Sequence, residues 1–233
     1  PPSSYWPLEL DLRHFPPIEC LIGYGSGVFR QLGYSGARPM VDLVFVVRDS
    51  AATSWHAGNL ASHPGHYALP LRAFGPSAIA RVQRWGPGLY YNPHVQLPTT
   101  EGGKLEAKYG VISAEALLAD LLHWDSLYMA GRMHKPCLVE FPGGDGELSA
   151  SITAAVAANR RAALSAALLL SGWSLASPGS LSALALFTSL VRLSFDGDVR
   201  VGIAEDPNKV SNIVRAQERD LWDVYAPIAA GLG

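Results

Sequence analysis

The residues best suited to chemistry cluster near the start of the chain. Cys20-Leu-Ile-Gly-Tyr-Gly-Ser-Gly-Val-Phe29 ends an apolar segment in three glycines and a serine. Met40-Val-Asp-Leu-Val-Phe-Val-Val47 then opens a second apolar segment that carries one carboxylate, Asp42. Glycine lets backbone amides approach a phosphate closely, and a helix N-terminus adds favourable partial charge. A carboxylate nearby can hold the magnesium ion that accompanies a nucleoside triphosphate. The pair therefore predicts a nucleotide-handling site. The glycine cluster by itself would read as a tight turn. A dinucleotide fingerprint is incomplete, because its third glycine falls at Val28 and Gly33 to Pro39 breaks the helix it needs.

These residues need elements to hold them. The sequence predicts a strand over Ile18–Ile22, a turn over Gly23–Gly27, at most two helical turns over Val28–Leu32, and a buried strand over Val41–Val47. Short helices are predicted over Asp49–Ala61 and Phe74–Trp85. Leu89–Tyr91 and Leu105–Ile112 read as an antiparallel pair, with Leu105, Ala107, Tyr109 and Val111 on one face and Glu106 and Lys108 on the other. Ser113 caps a helix that runs through Leu117, Leu121 and Trp124 and closes at Tyr128–Arg132. Leu138–Phe141 is a strand, and Pro142-Gly-Gly-Asp-Gly146 is the clearest linker. After it the composition turns Ala/Leu-rich and helical over 149–170. A helix starts at Ser177-Pro178, a strand or hairpin surrounds Asp196-Gly-Asp198, and Glu205-Asp-Pro207 opens a last helix, Lys209–Tyr225. The organisation is α+β, with an α/β half at 1–140 and a mostly helical half at 141–233.

Bulk properties narrow the function classes. With 233 residues the chain can build a substantial core. A net charge of −2 argues against a nucleic-acid-binding face. Two cysteines make neither a disulfide framework nor a metal cluster. Pro1-Pro-Ser-Ser-Tyr-Trp6 does not read as a signal or transit segment. The run Ala162–Ala176 is interrupted by Ser165, Ser171 and Gly172 and falls short of a membrane span.

Other polar residues read more blandly. Lys108 beside Glu106 is either a surface ion pair of little weight or a lysine that reaches a phosphate. Asp120 and Asp125 read as solvated helix acids. His56, His63 and His66 lack zinc spacing, and Ser26 has no His-Asp pair to make it a nucleophile.

Gly25-Ser26, followed by fifteen residues and then Asp42 at the head of a strand, resembles the nucleotidyltransferase superfamily signature at a slightly long spacing. In that pattern the turn cradles the triphosphate and the acid binds magnesium. The second acid of the pattern would fall at Val44, which leaves Asp49, Asp120 and Asp198 as candidates for the second metal ligand.

The resemblance widens along the chain. Gly23-Tyr-Gly-Ser-Gly-Val-Phe29, Val41-Asp-Leu-Val-Phe45, Trp55-His56 with Asn59-Leu60, Lys108-Tyr-Gly-Val-Ile-Ser113, Asp120-Leu-Leu with Trp124, Leu127-Tyr128, Ala130-Gly-Arg132, Lys135-Pro136 and Glu205-Asp-Pro-Asn-Lys-Val210 are together similar to the mitochondrial CDP-diacylglycerol synthase family. The resemblance implies a nucleotidyltransferase-type mixed-sheet domain followed by a winged-helix-like domain. It implies a magnesium-dependent phosphatidate cytidylyltransferase that takes CTP and phosphatidic acid. It implies a peripheral position on the matrix face of the mitochondrial inner membrane, upstream of cardiolipin, and a further C-terminal segment that helps membrane attachment.

On that resemblance Gly23, Tyr24, Gly25 and Ser26 hold the triphosphate. Asp42, with Asp49 or Asp198, binds magnesium, and Lys108 and Arg132 offset phosphate charge. Asn208 and Lys209 contact nucleotide or lipid phosphate. A non-catalytic assembly factor that binds nucleotide or acidic lipid, and an enzyme with a non-lipid acceptor, remain the alternatives.

Overall fold

The computed structural model describes residues 10–29, 39–144, 146–171, 182–195 and 208–231. Five strands form one sheet in the order β3-β4-β2-β1-β5. They are β1 (Cys20–Tyr24), β2 (Val41–Val47), β3 (Leu89–Pro98), β4 (Lys104–Ser113) and β5 (Leu138–Glu140). The central pair β2–β4 is parallel and the other pairings are antiparallel. β2 is almost wholly apolar because it is covered on both faces. Leu43 and Phe45 belong to one core, with Phe15, Trp55 and Tyr109. Val44 and Val46 belong to the other, with Leu117, Leu121, Met129 and Met133.

Between β2 and β3 run α1 (Ala52–Ser62), α2 (Leu69–Phe74) and α3 (Pro76–Gln83). They bring the chain across one face of the sheet, so that the β3–β4 hairpin returns β4 parallel to β2. The alternation expected for β4 holds: Leu105, Ala107, Tyr109 and Val111 all pack in the core that contains Phe45.

After β4 the predicted single helix is two. α4 (Ala114–His123) starts at Ser113, whose hydroxyl accepts from the Ala116 amide as expected. It ends at Trp124, in the left-handed region at φ 58°, and α5 (Tyr128–Met133) begins after Leu127 at φ 55°. The cause is Asp120, which is a buried acid and not the solvated one expected from the sequence. Its carboxylate accepts from the amides of Ser126, Met129 and Ala130 and from the Ser126 hydroxyl. Those bonds cap α5 and fold it back over α4.

Helix α6 (Glu147–Leu170) follows β5, then α7 (Ala183–Arg192) and α8 (Lys209–Ala230). The boundary expected between 140 and 141 lies just ahead of α6, whereas the packing divides within it. Ile152, Ala155 and Val156 join the sheet core, and Ala163, Leu164 and Ala167 join the core built with Phe187, Leu190, Val214, Leu221 and Tyr225. The expected helix start at Ser177, the hairpin at 196–198 and the Glu205–Pro207 helix start lie outside the described residues. Among the described residues no helix is long and apolar enough to cross a membrane.

Candidate active site

The strand before the glycine turn sits two residues later than the sequence suggests. Gly23 and Tyr24 are strand residues, paired with Leu43 and Asp42. Gly23 is also in register with Leu138 of β5, and a side chain there would press on Val28. Its place is inside the sheet, between β2 and β5, and not in the turn where the sequence put it.

The turn proper is Gly25–Phe29, closed by the Val28 and Phe29 amides donating to the Gly25 carbonyl. Gly25 has φ +76°, and a Cβ there would lie 3.1 Å from Asp42 Oδ2. Gly27 is required by close packing, since its Cβ would fall 2.7 Å from Val41 Cα. The turn thus lies directly over the start of β2, with the Asp42 carboxylate beneath Gly25. Ser26 is half-buried beside it.

Asp42 and Lys108 are Cα partners in the parallel β2–β4 ladder. Lys108 Nζ lies 4.0 Å from Asp42 Oδ1, and the two side chains stay 30% and 26% exposed, so a ligand can reach both. Glu106, on the same face two residues away and one of the two partners considered for Lys108, meets His94 at 3.2 Å instead. Burial pushes the Asp42 carboxyl above the usual range, and Lys108, Arg132 and Lys209 act against that shift.

Arg132 and Lys209 also act on this carboxylate, and Lys135 lies beside them. Arg132, on α5, stacks 3.6 Å over the Tyr128 ring and 5.6 Å from the Tyr24 ring, and donates to the Tyr128 carbonyl at 2.6 Å. Lys135 donates to the Gly131 carbonyl at 2.9 Å and to Ser194 Oγ at 2.6 Å. Burial and the neighbouring Arg132 and Lys209 lower the Lys135 ammonium to about 7. Lys209, at the start of α8, and Lys135 flank the Phe195 ring at 5.4 and 5.2 Å. Three cations, Lys108, Arg132 and Lys209, therefore act on one carboxylate from elements in both halves of the chain, with Lys135 beside two of them. Such an array suits a polyanion with several phosphates.

A model of the family described as "Phosphatidate cytidylyltransferase, mitochondrial" matches residues 8–233. The chain belongs to that family. Proteins of the same description from Xenopus laevis and Drosophila melanogaster are 40% and 41% identical to it over 222 and 221 residues, covering 93% and 90% of this chain. A Mus musculus protein of that description is 38% identical over 230 residues, 97% of this chain. The chain spans 60% of the length of the first two relatives and 63% of the third.

In this member of the mitochondrial phosphatidate cytidylyltransferase family the fold brings together Tyr24, Gly25, Ser26, Asp42, Lys108, Arg132 and Lys209. Asn208 immediately precedes α8, next to Lys209. Two expected metal ligands are not brought in. Asp49 follows the far end of β2, roughly 20 Å from Asp42 at ~3.3 Å per strand residue. There it accepts the Glu115 amide and lines a separate cavity of ≈ 700 Å³ with Glu19, Arg48 and Glu147. Asp120 is consumed by its four hydrogen bonds, and Asp198 lies outside the described residues. Tyr91, Tyr128 and Lys135 were not among the expected site residues. Lys135 stood in a family-like block, Lys135-Pro136, which was the one available signal for it.

A magnesium ion can be tested against these donors. Among the described residues no group of three or more His, Cys, Asp or Glu could hold a metal. The donor set at the turn is one carboxylate, Asp42, whose Oδ2 faces the turn at Gly25. Mg²⁺ characteristically takes one or two carboxylates together with substrate phosphates and water. A single aspartate next to a polyphosphate site fits that habit.

Proposed function

We propose that the chain carries the cytidylyl-transfer site of a phosphatidate cytidylyltransferase, converting CTP and phosphatidic acid to CDP-diacylglycerol and pyrophosphate. The observation that supports it most is the convergence of Lys108, Arg132 and Lys209 on Asp42 beneath the Gly25 turn. A phosphate oxygen of phosphatidic acid attacks the α-phosphorus of CTP. The bond from that phosphorus to the oxygen bridging to the β-phosphate breaks, and pyrophosphate leaves with the electron pair. The attacking phosphate is ionised at neutral pH, with a second pKa of about 6, so no general base is required.

Turn amides around Gly25 and the Ser26 hydroxyl orient the triphosphate. Lys108, Arg132 and Lys209 offset the charge of nucleotide, lipid phosphate and leaving group. Asp42 would hold the magnesium, which supplies charge neutralisation across the phosphates when bound. We place this activity peripherally at the matrix face of the mitochondrial inner membrane, feeding cardiolipin synthesis.

The test is incubation with labelled CTP, phosphatidic acid and magnesium. A CDP-lipid and pyrophosphate in equal amounts are expected, and both should vanish on chelation. Nucleotide binding without either product would favour the second reading, a non-catalytic nucleotide- or acidic-lipid-binding assembly factor. The apolar Val44 where a second acid is usual is the observation on its side. Pyrophosphate release with soluble acceptors but not with lipid would replace the acceptor.

A further inference from the structure

Tyr91 stands where β3 faces the small residue Gly110 of β4, its Cα partner. The missing side chain at Gly110 leaves room for the tyrosine ring, since a Cβ there would come within 2.8 Å of Tyr91 Cε1. The ring lies across β4, and its hydroxyl meets the Tyr24 hydroxyl at 3.0 Å. Tyr24 is in turn the register partner of Asp42 on β2. Tyr91 is thus fixed at both ends, by β3 and by β1.

Lys108 is two residues before Gly110 on the same face of β4, the diagonal position a long side chain can reach. Its ammonium sits 4.2 Å over the Tyr91 ring centroid. The same ammonium is 4.0 Å from Asp42, a loose approach beside the 2.7 Å of the Arg48–Glu19 pair. The lysine is divided between a π-face and a carboxylate. Burial, with Tyr24 nearby, drives the Tyr91 phenol well above its ordinary range, so the ring acts as a neutral face.

We propose that Tyr91 is a positioning residue that holds the Lys108 ammonium off Asp42. An ammonium closed onto Asp42 would occupy the carboxylate oxygens and be spent as a phosphate partner. Held over the ring, it leaves Asp42 open to a cation and stays available to an oxyanion. This inference rests on the reading of the Asp42 cluster as a nucleotide site.

The test compares Tyr91→Phe and Tyr91→Leu in the wild-type and Lys108→Met backgrounds. The readout is the affinity for CTP with magnesium, measured calorimetrically without lipid, with melting temperature recorded alongside. Phenylalanine keeps the ring and should bind within about threefold of wild type. Leucine should weaken binding about tenfold, the size of one strong cation–π contact. In the Lys108→Met background that loss should disappear, since a residue acting through Lys108 has nothing left to position. Equal loss in both backgrounds, or no loss with leucine, overturns the proposal. A wild-type chain that binds no CTP overturns the nucleotide reading itself and this inference with it, a result that wild type alone reports.

Discussion

Asp42 and Lys108 face each other as register partners across the one parallel ladder of the sheet, with 4.0 Å between ammonium and carboxylate. Strand pairing fixes their relation, so it does not depend on a flexible loop. Asp42→Asn and Lys108→Met should each leave the fold intact and lower turnover by roughly 10²–10³-fold, the usual cost of removing one electrostatic contact to a developing charge. Steady-state kinetics with circular dichroism checks this; a folded Asp42→Asn with wild-type turnover would sink the mechanism.

Asp120 predicts a stability effect that reaches the site. Burial alone would raise its carboxyl, but the Ala130, Ser126 and Met129 amides and the Ser126 hydroxyl outweigh burial and hold it below the usual range. Asp120→Ala leaves buried amides at Met129 and Ala130 without their acceptor. The expected loss is about 3 kcal/mol, or roughly 10 °C in melting temperature for a chain of this size. Because α5 carries Arg132, nucleotide affinity should fall as well. Its depressed pKa means this stabilisation is present above the unfolded carboxylate value and is lost as pH falls through the folded one.

Three histidines predict acid sensitivity at milder pH. His134 and His66 are lowered to about 4 and His56 is lowered, in each case first by burial. The unfolded chain binds these protons near pH 6.5 and the folded chain does not. Stability should therefore decline as pH falls from about 6.5 towards 4, by about 1.4 kcal/mol per pH unit for each fully withheld proton. His66 is half-exposed and will contribute less. Denaturant titrations from pH 7 to 4.5 give the slope, and His134→Gln should flatten it.

The glycines of the turn should separate by phenotype. Gly27→Ala drives a Cβ into the backbone of Met40 and Val41, so it should cost about 1–3 kcal/mol of stability. Gly25→Ala places a Cβ at φ +76° against Asp42 Oδ2 and should depress catalysis beyond its strain of about 1–2 kcal/mol. Melting curves and turnover measured on both variants distinguish the two roles.

Much of this was legible in the sequence where local chemistry decides the outcome. The near-continuous apolar run Val41–Val47 marks a strand covered on both faces, and Ser113 caps α4 as its type and position suggest. Asp42, Lys108, Arg132 and Lys209 carry signals of residue type and family-like context, and the fold gathers them. What escaped was decided by register and burial. Glu106 shares a strand face with Lys108, yet cross-strand neighbours decide the pairing: Glu106 meets His94 of β3 and Lys108 faces Asp42 of β2. Asp49 looked close to Asp42, yet an extended strand separates them. Asp120 looked solvated because nothing local tells that a chain reversal will spend its carboxylate on three amides. Tyr91 is one of three consecutive strand residues, and only its pairing with Gly110 turns it towards Lys108.

Helix α6 has a mechanical consequence. Over its ~36 Å, at 1.5 Å per residue, it is planted at one end in the sheet and at the other in the helical core. The Tyr225 hydroxyl donates to the His134 carbonyl, and Lys135 ties α5 to Ser194, so two more braces run alongside it. Loosening the helical half would bare an apolar flank of the same rod that backs Met129 and Met133. The strands that carry Asp42 and Lys108 and the helices that carry Arg132 and Lys209 should then melt as a single cooperative unit, seen as one calorimetric transition.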